Sequence, residues 1–323
     1  MPAAPSPSLP QCADAVLMVR PAAFGFNAET AASNAFQAAP DGEPPGAIAA
    51  RARAEFEGLV RALEGEGVEV CVADDSPEPA KPDAVFPNNW VSFHADGTIV
   101  TYPMASPTRR AERREAVIEA AVARLHFRVR RRLDLTAHES EGRFLEGTGS
   151  LVLDHRQRRA FACISPRTDA DLVRAWALAL DYEPVLFGAS DAAGRPYYHT
   201  NVCLWIGTQV AAVALEAVAA EDRVHLIDAL AAEEREVIAL TRQEVAGFAG
   251  NMLELATWDE ALGDARVLLM SAAARRALAP ATYQRLAGAT DTVLAVPVPT
   301  LERFGGGSVR CMLAEVFRAA REP

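Results

Sequence analysis

The order of elements along this chain repeats, and the repetition constrains its fold more than any single motif does. "AVLMVRP" (15–21) has the unbroken apolar run of a buried strand. "AIAARARAEFEGLVRALEGEG" (47–67) has the apolar spacing of a helix that stops at glycine, and "VEVCVAD" (68–74) reads as a second strand. "AVFPNNWVSFHADGTIVTYPM" (84–104) predicts a hairpin turning at "ADG", then a helix over 109–125 and a strand near 128–135. From 143 a hairpin, the helix "DADLVRAWALAL" and the strand "YEPVLFGA" follow, and from 197 and from 247 the pattern returns, with a last helix near 280–288. Five passes of roughly 60 residues suggest a circular arrangement about an axis. An ordinary α/β domain whose elements alternate without symmetry fits the periodicity equally well.

The composition is globular: 50% of the 323 residues are hydrophobic, and no low-complexity or composition break marks an inner linker. One domain over 15–323 is expected after a disordered Pro/Ser/Ala-rich start at 1–14. The net charge of −11 leaves the basic run "RVRRRL" (128–133) isolated on an acidic protein, which argues against a nucleic-acid partner. Five cysteines, odd in number and without a C-x-x-C pair, fit neither a disulfide framework nor zinc, and point to a reducing cytoplasm. No apolar run approaches the roughly 18 to 20 residues of a bilayer span, so no membrane partner is expected. The reading leaves room for a homo-oligomer.

The chemistry is sought where a reactive side chain meets glycines. Cys311 follows "GGGS" (305–308), residues that let backbone approach a ligand closely and free N–H groups to face it. A free cysteine is usually a small buried apolar residue, and that reading suffices for Cys71, Cys163 and Cys203 inside apolar strands; for Cys311 the two readings stand level. A phosphate cradle fails because no Lys-Ser/Thr follows the glycines. Among six histidines, His199 in "YYHTNV" opens a predicted strand beside Thr200 and Asn201 and suits proton transfer to and from a thiol. Glu146 in "RFLEGTGSLVL" lies among glycine and apolar residues, a setting that a solvated carboxylate explains poorly; a turn glutamate is the plainer alternative.

Taken in order, "FLEGTGS", "HTN" and "GGGSVRCML" resemble the E/D-G-G, H-x-D and G-G-G-x-H-C motifs of the guanidino-group modifying enzymes, which include arginine deiminases, dimethylarginine dimethylaminohydrolases and amidinotransferases. "VRPAAFGFN" (19–27) and "FPNNWVSFHADGTIVTYPM" (86–104) are similar to the citrulline-utilisation hydrolase branch, and the resemblance covers nearly the whole chain from about residue 15. It implies an α/β fold of the pentein type, a five-bladed α/β propeller of ββαβ repeats with pseudo-fivefold symmetry. It also implies Cys311 as nucleophile, His199 as general acid/base and Glu146 as the carboxylate that binds substrate nitrogens and assists the histidine, with no metal or organic cofactor.

The departures from the pattern bear on the substrate. Arginine deiminases carry aspartates in the segments matching "FPNNW" and H-x-D, where this chain has Asn88, Asn89 and Asn201. A carboxylate makes a charge-assisted pair with a guanidinium, whereas an amide offers one donor and one acceptor and suits a neutral ureido group. Citrulline hydrolysis to ornithine, ammonia and carbon dioxide is therefore the preferred expectation. Arginine or methylarginine hydrolysis, amidino transfer to an amine, and a non-catalytic pentein-fold binding protein are the alternatives. Arg20 and Arg143 lie beside the motifs as candidates for a substrate α-carboxylate, and Asn251 in "FAGNML" is a further polar candidate; Arg310 stands where other branches carry histidine.

Overall fold

The computed structural model describes residues 9–259 and 263–318. Five three-stranded sheets recur with one topology, in which the middle strand runs antiparallel to one neighbour and parallel to the other. The second sheet sets Thr98–Thr101 between Val91–Phe93 and Arg131–Asp134. The third sets Arg159–Cys163 between Val152–Asp154 and Glu183–Phe187, and the fourth Val210–Val213 between Leu204–Ile206 and Glu236–Ala239. The fifth sets Gly263–Ser271 between Leu253–Asp259 and Thr292–Val296. In the first sheet Ala15–Arg20 pairs in parallel with Glu69–Asp74, and its antiparallel partner, Ala314–Glu315, comes from the far end of the chain. Parallel pairing requires a crossover, and helices such as Pro45–Gly65 and Ala170–Leu180 supply it.

The middle strand of the fourth sheet, "VAAV" at 210–213, is buried and apolar throughout. The apolar clusters span successive sheets. Leu17 packs with Val91 and Phe93 of the second, Val100 and Tyr102 of the second with Leu151 and Trp176 of the third, and Leu255 and Leu269 of the fifth with Val16 and Met18 of the first. One further cluster joins the third, fourth and fifth. Among the described residues no helix is long and apolar enough to cross a membrane.

Two expectations change. Of the start expected to be disordered, residues 1–8 lie outside the described residues, but Gln11, Cys12 and Ala13 are buried. The Gln11 amide donates to the Leu153 carbonyl at 2.9 Å and accepts from the His155 N–H at 2.9 Å, which ties this stretch to the third sheet. The helix expected over 109–125 is divided into Pro107–Arg110 and Glu115–Arg124, because Arg109 and Glu112 turn inward as a buried pair.

Each repeat places polar residues just ahead of the edge strand that runs antiparallel to its middle strand. Short turns at Pro87–Asn89, Gly147–Ser150, Thr200–Val202 and Val309–Met312 precede strands beginning at Val91, Val152, Leu204 and Ala314, and Asn251 precedes Leu253. These turns carry the candidate residues singled out in the sequence.

Candidate active site

Cys311 lies in the turn Val309–Met312 and is 3% exposed. The glycine run ahead of it serves close packing: Gly306 has φ +62, and a Cβ there would lie 2.5 Å from the Asn34 Nδ2. Cys311, His199 and Asn89 line one cavity of about 20 Å³ together with Asp83, Arg109 and Arg167. That volume admits a single water and no amino acid. The segment from Asn27 to Ala38 covers it. Asn34 Nδ2 donates to the Gly306 carbonyl at 3.2 Å, Gln37 Nε2 to the Phe304 carbonyl at 3.0 Å, and Arg167 Nη2 to the Thr30 carbonyl at 2.9 Å.

His199 and Glu146 form a buried pair, Nε2 to Oε2 at 2.8 Å. Burial works against the ionised carboxylate, yet Arg167 at 3.6 Å, His199 and Arg109 at 3.9 Å hold Glu146 well below the usual carboxylate range. Burial also pushes the His199 imidazole down to about 4 in spite of Glu146, so the ring is neutral at pH 7. The ionised carboxylate fixes the proton on Nε2 and leaves the Nδ1 lone pair for chemistry.

Asn89 sits on the other side of Gly149. A Cβ at Gly149 would lie 2.5 Å from Asn89 Nδ2 and 2.6 Å from His199 Nδ1, so these two nitrogens face a common gap. Arg109 Nη1 donates to Asn89 Oδ1 at 2.9 Å, which settles the orientation of the amide. The Asn89 Nδ2 donor is buried without a partner. Such a group costs about 1 to 3 kcal/mol unless a ligand satisfies it. Asn88 is fully buried in the same turn, and both its amide atoms are also unpartnered.

Asn201 and Asn251 flank the sulfur. Asn251 Nδ2 lies 3.2 Å and Asn201 Nδ2 3.6 Å from Cys311 Sγ.

The expected α-carboxylate ligands lie elsewhere. Arg20 pairs with Glu57 at 2.6 Å and with Asp74, and Arg143 pairs with Glu141 at 3.2 Å and Asp169 at 3.3 Å; neither lines the cavity. Arg310 pairs with Glu315 at 2.8 Å and lines a second cavity behind Asn201. The cations at the site are Arg109 and Arg167, which the sequence reading missed. One is in the arginine-rich run after Pro107 and the other in the turn "SPRTDAD", with no apolar context to flag either. Asp83 was missed as well. Its Oδ2 accepts from Asn27 Nδ2 at 2.8 Å, and its Oδ1 has no partner. Burial raises the Asp83 carboxyl, and it pushes Glu112 up to about 7 despite the bidentate Arg109 pair at 2.9 Å.

The sequence profile of the family described as N,N dimethylarginine dimethylhydrolase, eukaryotic, matches residues 20–318. No curated protein matches the sequence. In fold the chain is similar to ArgZ, an arginine dihydrolase from the ornithine-ammonia cycle in cyanobacteria, with a TM-score of 0.72 at 18% identity over 96% of this chain. The chain spans 41% of the length of ArgZ. A mutant of AgrE in complex with L-arginine gives a TM-score of 0.72 at 20% identity, over 95% of this chain and 41% of that one. The adduct of a dimethylarginine dimethylaminohydrolase with 4-chloro-2-hydroxymethylpyridine gives a TM-score of 0.61 at 16% identity, over 93% of this chain and 98% of that one. At such identities these structures speak for the fold.

Proposed function

The chain belongs to the N,N dimethylarginine dimethylhydrolase family of guanidino-group hydrolases, and from that premise we propose that it hydrolyses the ureido group of a citrulline-like amino acid. The observation that carries this reading is the polarised Asn89 amide. With Arg109 on its oxygen, Asn89 presents only N–H, and a guanidinium, all donors, leaves that group unsatisfied. A ureido oxygen accepts from it.

In the proposed reaction Cys311 attacks the ureido carbon and its thiol proton passes to His199. The imidazolium, stabilised by Glu146, gives that proton to the departing nitrogen. Loss of ammonia leaves an S-carbamoyl cysteine still bearing the ornithine nitrogen. Water then adds, with His199 taking its proton, and the sulfur leaves. The resulting carbamate breaks down to ornithine and carbon dioxide. Arg109 and Arg167 are the cations available to a substrate carboxylate, and the segment over the cavity lifts to admit the substrate.

A second reading rests on Asp83, whose free Oδ1 adds an acceptor on the same cavity as Cys311 and favours a cationic head such as that of arginine. Steady-state assays with citrulline, arginine and N,N-dimethylarginine, with ornithine, citrulline and ammonia quantified, separate the two. Ornithine from citrulline is the expected result. Turnover of arginine to citrulline with none of citrulline itself overturns the ureido reading, and full activity in Cys311→Ala overturns the nucleophile.

We also propose that the five sheets close into a five-bladed propeller. The supporting observations are the clusters shared by successive sheets, the pairing of Ala314–Glu315 with Ala15–Arg20, and the bridge from Val316 to Phe93 of the second sheet. The five cysteines, all free and buried, support a reducing, cytoplasmic setting.

A further inference from the structure

We propose that Asn251 is a positioning residue for the nucleophile, a fixed amide donor aimed at the Cys311 sulfur that stabilises the negative charge formed there as the thiol gives up its proton. The proposal rests on Cys311 being the attacking group and is independent of which substrate is attacked. Both hydrogens of the Asn251 amide are committed: Nδ2 donates to the Asn201 carbonyl at 2.9 Å and to Cys311 Sγ at 3.2 Å. The reversed amide would set Oδ1 against the Asn201 carbonyl oxygen, so the orientation is fixed by repulsion as well as by bonding.

The backbone enforces the same placement. Gly250 presses onto the turn ahead of the fourth sheet so closely that a Cβ there would lie 2.1 Å from the Val202 carbonyl oxygen. The N–H of Asn251 donates to the Phe248 carbonyl at 2.9 Å. Asn251 is 1% exposed, so its bond to sulfur is made away from water.

A donor aimed at sulfur discriminates between its protonation states. It bonds a neutral thiol weakly and a thiolate with a charge-assisted bond about twice as strong as a neutral one. The cation Arg310 faces Glu315 instead, and His199 is neutral and tied to Glu146. Among the described residues the two amides, Asn251 at 3.2 Å and Asn201 at 3.6 Å, are the hydrogen-bond donors to Sγ. The shorter contact and the committed second hydrogen single out Asn251.

The test is iodoacetamide alkylation of the substrate-free full chain from pH 5 to 10, followed by mass spectrometry of the peptide carrying Cys311. Two variants are compared with the unsubstituted protein: Asn251→Ala, which removes the donor, and Asn251→Asp, which keeps the shape and replaces the donor with an acceptor. Thermal melts establish that each is folded. Alkylation of Cys311 at pH 7 is expected to fall about ten-fold in Asn251→Ala, the equivalent of one hydrogen bond, and further in Asn251→Asp. The midpoint of the alkylation profile moves to higher pH in both, and kcat falls while KM is held.

A folded variant whose profile superimposes on that of the unsubstituted protein overturns the proposal, and Asn251→Ala decides alone where Asn251→Asp does not fold. Alkylation reads the free enzyme and needs no turnover. Failure of the citrulline reading therefore leaves this result standing, and failure here leaves the choice of substrate open.

Discussion

A single amide atom separates the two substrate readings. Arg109 turns the oxygen of Asn89 away, so the side chain offers N–H where a carboxylate would offer only oxygen. In Asn89→Asp the new carboxylate would accept from Arg109 and from a guanidinium alike. We expect kcat/KM for citrulline to fall by about ten-fold or more, with a smaller loss or a gain for arginine, measured by competition of the two substrates; a uniform loss for both would assign Asn89 a structural role. Glu146→Gln keeps the shape and removes the charge that fixes the proton on His199 Nε2. We expect kcat to fall by about 10²- to 10⁴-fold with little change in KM. Glu146, His199 and Cys311 were singled out in the sequence by their glycine and polar settings and by the resemblance of their motifs, and the fold brings His199 within 2.8 Å of Glu146 and onto one cavity with Cys311. Asp83, Arg109 and Arg167 were not singled out, since each becomes a site residue only through partners distant in the chain, such as Thr30 for Arg167. Arg20 and Arg143 misled for the converse reason: proximity to a motif in sequence does not fix which way a side chain points, and both found surface partners.

Among the elements, the segment over the cavity governs entry. Its Phe36 ring lies 5.2 Å from Phe248 and 6.4 Å from Tyr198, and the Tyr198 hydroxyl donates to the Gly306 carbonyl at 2.6 Å. Each aromatic pair is worth about 0.5 to 1.5 kcal/mol, so Phe36→Ala shifts the segment toward open by roughly ten-fold. Hydrogen exchange should quicken at residues 30–37 and not in Ala15–Arg20, and KM should change more than the rate of Cys311 alkylation per open molecule. Unaltered exchange there would mean that the polar contacts of Asn34 and Gln37 alone hold the segment. Strands and long helices were legible because burial imposes their periodicity. The short turns ahead of each antiparallel edge strand were not, since a three- or four-residue turn has no period. The break in the helix expected over 109–125 comes from Arg109 and Glu112, whose mutual attraction overrides the run of helix-forming residues.

The whole molecule carries a dependence on acid that its net charge does not foretell. Burial pushes His94 and His199 down to about 4 and His155 to about 3, from an ordinary value of 6.5. Each ring is neutral in the folded chain and takes up a proton on unfolding, so its contribution is fully present above pH 6.5 and is lost as the pH falls through the folded value. Between pH 7 and 5 each histidine removes about 2 kcal/mol. Glu112, raised to about 7, has the opposite sign over the same window, because its folded form binds the extra proton, and it offsets roughly one histidine. The buried carboxyls of Asp83, Glu302 and Glu315 are raised as well and act with Glu112, so the net loss of urea-unfolding stability expected on acidification from pH 7 to 5 is smaller than the histidines alone would give. His155 lies away from Cys311, with Nδ1 2.8 Å from the Tyr182 hydroxyl and its ring against Phe317. In His155→Gln the slope should fall by the share of one histidine while the pH profile of turnover keeps its shape. An unchanged slope would leave the acid sensitivity with His94 and with the active-site pair of His199 and Glu146, and only in that pair would losses of stability and of activity track each other.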